Sequence, residues 1–179
     1  MATRSMISIH QNDGKIRSVY CHWDGYFEHN GVILYNFYNT PEKVKELISY
    51  GDISSLGTEI GKKHDFGKLY YGCTFYHRDR GEDLDIREMD ITSNINPYVQ
   101  LDEEEYNYIF VEKTGKWIAK KENELQYHQL ESIFKKITLD EWMIDVSNQT
   151  QYEKIVDFYN KFGQSYLKMP KFDEVKYEI

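Results

Sequence analysis

The chain predicts an α+β fold: an antiparallel β-sheet built from hairpins, with two or three helices packed on one face. Three observations carry this. Two stretches alternate apolar and polar residues about a glycine turn, Ser5–Cys21 around Asp13-Gly14 and Tyr106–Lys121 around Thr114-Gly115. Two others repeat apolar residues at helical spacing, following Thr40-Pro41 and following Thr150. Hydrophobic residues make up 40% of 179 positions, enough for one core, so residues 1–179 are read as a single domain with a loosely ordered tail from about 164.

The elements follow in order. In Ser5–Gln11, Ile7 and Ile9 alternate with Ser8 and His10, which is a strand. Asp13-Gly14 turns the chain, and residues 15–21 return with Val19 and Cys21 on one face. Gly31–Asn39 suits a first helix or a strand, and the helix is favoured because it would pack as a pair with the next. Thr40 caps that second helix and Pro41 suits its first position; Val44, Leu47 and Ile48 share a face, and Gly51 ends it. "GDISSLG" (Gly51–Gly57) is glycine-rich and reads as a loop. Lys68–His77 is aromatic and reads as a strand. Glu82–Ile91 alternates weakly, which predicts a strand with Leu84 and Ile86 inward, and Pro97 makes the next stretch a loop. Leu130, Ile133 and Phe134 suit a short helix. Thr150 with Glu153 forms a capping box, and Ile155, Phe158, Tyr159 and Phe162 share one helical face closed by Gly163.

Charge is the least even property. The net charge is −8. Between Asp79 and Glu105 stand ten acids, among them Asp83, Asp85, Asp102, Glu103, Glu104 and Glu105, opposed by Arg80 and Arg87 alone. That surplus of eight equals the charge of the whole chain. Such a field repels nucleic acid and attracts basic surfaces, which argues against direct nucleic-acid binding through this segment. No apolar run approaches membrane-spanning length, and Cys21 and Cys73 do not make a disulfide scaffold. A cytoplasmic location without membrane contact is the expectation.

"VYCHWDGYFEHNG" (Val19–Gly31) is dense in chemistry-bearing side chains. A Cys–His pair can generate a thiolate, but adjacent Cys21 and His22 on a strand point to opposite faces. Cys73 and His77 have a passable zinc spacing, and Cys21 with His29 is a poor second pair; small buried strand cysteines explain both thiols better. Asp24, Glu28, Asp83 and Asp85 could hold Mg2+, but nothing fixes their geometry and a nuclease needs a basic groove. No phosphate loop, dinucleotide fingerprint, nucleophile elbow or zinc-protease helix occurs. No catalytic residue, metal or cofactor is therefore assigned. Asp24-Gly25 is read as a structural turn, with Trp23 part of the core and Tyr26 partly exposed, and both at a recognition edge.

"DGKIRSVYCHWDGY" followed by "PEKVKELISYGDISSLG" resembles small proteins encoded by phages and other mobile elements. The resemblance covers about the first third of the chain. It implies an anti-defence role, such as an anti-CRISPR protein, and no catalytic residue carries over. Two readings follow. One is an inhibitor of a host defence nuclease or other nucleic-acid-binding protein, working through an acidic, nucleic-acid-mimicking surface of Asp83, Asp85 and Asp102–Glu105, edged by Trp23 and Tyr26. The other is a small enzyme or ligand-binding domain with a pocket around "CHWDGY" and "GDISSLG". A homodimer is compatible with both.

Overall fold

The computed structural model describes residues 1–63, 72–91 and 97–134. The expected helix after Thr150 and the tail from 164 lie outside these residues, as do residues 68–71 of the expected aromatic strand.

The first hairpin forms as its sequence dictates. β1 (Ser5–His10) and β2 (Lys15–Cys21) pair antiparallel with Ile7 opposite Val19, and Gly14 takes the left-handed turn conformation (φ 83°). β6 (Tyr106–Val111) and β7 (Lys116–Lys121) make the second hairpin, with Tyr108 opposite Ala119. The hairpins join through a parallel pair, β1 beside β6, with Ile7 level with Tyr108. The α+β class therefore holds with a mixed sheet of eight strands. Its order is β4-β3-β2-β1-β6-β7-β8, where β3 is Ile53–Ser55, β4 is Thr74–Phe75 and β8 is His128–Gln129. β5 (Arg87–Asp90) lies antiparallel on the start of β2.

Alternation sorts the two faces. Ile7, Ile9, Val19, Cys21, Tyr108 and Phe110 meet α1 (Val32–Phe37), α2 (Pro41–Ser49) and α4 (Leu130–Phe134) in the core. α2 starts as predicted, with the Thr40 hydroxyl accepting from the Lys43 amide, and stops at Gly51 (φ 77°). The second face is buried too, because Met6, Ser8, Ile16, Ser18, Asn107 and Ile109 are all under 5% exposed. A strap, residues 97–105, crosses it. Tyr98 Oη pairs with His10 Nδ1 at 2.8 Å, and the Asn107 amide exchanges hydrogen bonds with the Glu104 backbone at 2.7 and 3.0 Å. The buried Ser8 and Ser18 hydroxyls satisfy each other at 2.7 Å.

Three local expectations are corrected. "GDISSLG" is not all loop: Ile53 pairs with Cys21, making β3 a short parallel strand. The expected strand ending at His77 stops at Phe75, and α3 (Tyr76–Arg80) follows, fixed by the buried Asp79 carboxylate accepting from the Phe75 amide at 2.7 Å. The strand after Glu82 begins only at Arg87, so Leu84 is 51% exposed while Ile86 packs at the core margin.

Candidate functional site

"CHWDGY" proves to be a locked turn. Asp24 holds a left-handed φ of 57°, which a short polar residue tolerates. The Gly25 amide donates to Thr3 O at 2.7 Å, and the fully buried Tyr108 hydroxyl donates to Gly25 O at 2.7 Å. A π-helical turn (Phe27–Gly31) follows, and its buried Asn30 amide donates to Ser5 Oγ, Cys21 Sγ and Trp23 O. Cys21 is fully buried; desolvation pushes its thiol up to about 12, so it is no nucleophile. Cys73 is equally buried between Tyr38 Oη and Gly57, and burial raises its thiol as well. Among the described residues, no three His, Cys, Asp or Glu side chains are grouped to hold a metal ion.

Trp23 is not core. It is 43% exposed and stands edge-on to His22 at 4.7 Å. His22 Nδ1 in turn pairs with Tyr20 Oη at 2.7 Å. Tyr20 leads into a cleft of about 560 Å3, lined by Tyr20, Asp52, Tyr76, Gly81, Glu82, Asp83 and Asp85. Strand alternation puts Tyr20 on the face opposite Val19 and Cys21. Its amide donates to Asp52 Oδ1 at 2.7 Å. Asp52 also takes both Arg87 guanidinium nitrogens, at 2.8 and 3.4 Å, and this pairing holds the Arg87 pKa above its usual value. The Tyr76 amide donates to Asp52 O, and Gly81 ends α3 in a left-handed conformation (φ 71°). That turn projects Glu82 and Asp83 into solvent; Asp85 has Arg87 Nη2 at 3.8 Å. The Arg80 guanidinium already lies over the Tyr76 ring at 5.0 Å.

The acidic stretch is thus divided. Asp83 and Asp85 come together at the cleft. Asp102 lines a separate recess of about 200 Å3 with Met6, Ser18 and Arg87. Glu103 binds the buried Lys120 ammonium, Glu104 is tied to Asn107 through its backbone, and the Glu105 carboxylate accepts from the Arg4 amide. Glu88 bridges Lys15 and Arg17, and Asp79 is buried against Arg78. Tyr26 is half-buried; its hydroxyl donates to Asp24, and it does not line the cleft. Sequence reasoning passed over Tyr20, Asp52, Tyr76 and Glu82. Tyr20 was within reach, since alternation from Cys21 puts it on the other face. Asp52 and Tyr76 were not, because their meeting depends on β3 and α3.

No protein-family model, curated protein or solved structure matches this chain. Among the described residues, no helix is long and apolar enough to cross a membrane.

Proposed function

We propose that the chain is a protein-binding inhibitor that covers a basic surface on a nucleic-acid-binding protein, as expected of a phage-encoded anti-defence factor. One observation carries the reading: exposed Glu82, Asp83 and Asp85 share a cleft with the rings of Tyr20 and Tyr76, and Trp23 stands exposed beside the His22–Tyr20 pair. Carboxylates beside aromatic rings bind guanidinium and ammonium groups, and aromatic anchors dominate interface energetics. The binding surface in this reading is Glu82–Asp85 with Tyr20, Tyr76 and Trp23. The Glu103 and Glu105 carboxylates are engaged in holding the strap and contribute field and not contact. Asp102 and the Glu104 carboxylate, whose residue is tied to Asn107 only through its backbone, extend the acidic field from the strap.

The test is affinity capture from host lysate at two salt concentrations, with wild type and a Glu82→Gln/Asp83→Asn/Asp85→Asn variant. The expected result is a nucleic-acid-binding partner that is weakened by salt, lost in the variant and displaced from its nucleic acid by the wild type. A partner kept at full strength by the variant refutes the assignment of the surface.

A further inference from the structure

A second cavity, of about 390 Å3, opens where α1 meets the start of β7 and the β8–α4 junction. Its volume falls within the roughly 300–1,000 Å3 of small-molecule sites. Tyr35, Asn36 and Asn39 line it from the α1 side, Lys116 and Trp117 from β7, and Glu131 from α4. The Trp117 ring is a fixed wall, because its Nε1 donates to Tyr38 O at 2.8 Å and the residue is 4% exposed.

Asn36 makes this more than a crevice. Its Nδ2 is shut off from solvent and meets no acceptor among the described residues. Native proteins leave few buried donors unpaired, and each calls for an explanation. The Asn36 side chain itself lines the cavity, and the terminal torsion of asparagine is soft, so rotation about that torsion is what brings its unpaired N–H groups to a ligand there. Lys116 adds a positive charge at the exposed end of β7. Glu131 adds a negative one near the Tyr35 phenol, whose pKa burial and then Glu131 raise. The lining therefore offers N–H donors, one ammonium, one carboxylate and two aromatic walls in one space.

We propose that this cavity binds a free amino acid or a similar small zwitterion. Its carboxylate accepts from Asn36 and Lys116, its ammonium donates to Glu131, and its side chain lies between Tyr35 and Trp117. This site is independent of the acidic cleft and of any macromolecular partner.

The experiment is titration of the 15N-labelled full chain with each of the twenty free L-amino acids, with acetate and ethylamine as single-charge controls. At least one amino acid is expected to bind saturably with Kd below about 1 mM, shifting the Asn36 side-chain and Trp117 indole resonances. Asn36→Leu should weaken it about tenfold or more. Lys116→Met should do the same, and its exposed position leaves folding intact if Asn36→Leu does not fold. No amino acid moving the Asn36 resonance, unchanged affinity in the folded variants, or equal binding of acetate alone overturns the proposal.

Discussion

Substituting Gly25 by alanine tests the claim that "CHWDGY" is a structural turn. A Cβ at this position would sit 2.7 Å from Arg4 O, 2.8 Å from Arg4 C and 2.9 Å from Ser5 Cβ. These are backbone atoms and the root of a side chain at the head of β1, so none can swing aside. Overpacking at a rigid site costs about 1–3 kcal/mol. Pushing the turn away from residues 3–5 also weakens the Gly25 amide to Thr3 O bond, and disturbs the Tyr108 hydroxyl to Gly25 O bond, at about 1 kcal/mol for one such bond. The sum is about 2–4 kcal/mol. At about 2–4 °C per kcal/mol for a chain of this size, Gly25→Ala should melt roughly 5–15 °C below wild type. The control is Gly14→Ala, which has a left-handed φ of 83° but nothing within 4 Å of a new Cβ. It should lose only the conformational term, about 1 kcal/mol. Thermal unfolding followed by near-UV circular dichroism measures both. A Gly25→Ala melt within about 1 °C of wild type, or no lower than Gly14→Ala, would show that the turn is not locked.

Three further outcomes are expected. Glu103→Gln removes the partner of the nearly buried Lys120 and should lower stability by about 1–2 kcal/mol, whereas Glu82→Gln should stay within about 0.5 kcal/mol; equal effects in denaturant melts would mean the strap acids are as free as the cleft acids. Native protein should leave both thiols unmodified by a disulfide reagent and release two only on unfolding, since Cys21 and Cys73 are 0% exposed with raised pKa values; a fast-reacting native thiol would restore the nucleophile reading. Burial lowers the His10 pKa below the usual 6.5, so folding favours its neutral form. Its contribution is present above 6.5 and is lost as pH falls from 6.5 through the lowered folded value. An NMR titration placing His10 at or above 6.5 would contradict this, and His10→Gln should flatten that part of the stability profile.

Local signals read well from this sequence, and meetings between distant segments did not. Both hairpins and the capped α2 are written in short-range chemistry: Asp13-Gly14, Thr114-Gly115, Thr40-Pro41 and a closing glycine. The parallel contact of β1 with β6 has no such signature, since alternation defines a strand's faces but not its neighbours. Trp23 was misplaced for a related reason. Its size suggested core, but the pairing of residues 22 and 23 with 53 and 54 carries the chain to the sheet margin. The acidic surplus was counted correctly, and its division between surface and framework was not visible. A glutamate on a buried lysine and one at a cleft mouth look alike in a linear chain. The cleft was half legible: Asp83 and Asp85 stood out, while Tyr20, Asp52 and Tyr76 required the fold.

The parallel neighbourhood of β1 and β6 also sets a timetable for folding. Ser5 finds Tyr106 across about a hundred residues, so the central pairing of the sheet is among the most non-local contacts of the described residues. During synthesis the first hairpin emerges early and waits with one long edge unpaired until β6 has left the ribosome. Loop-closure entropy is spent before that contact returns any stability, so folding should be slow for a chain of this size. The waiting edge of β1, carrying Met6, Ile7 and Ile9, is then the place where newly made chains would stick to one another.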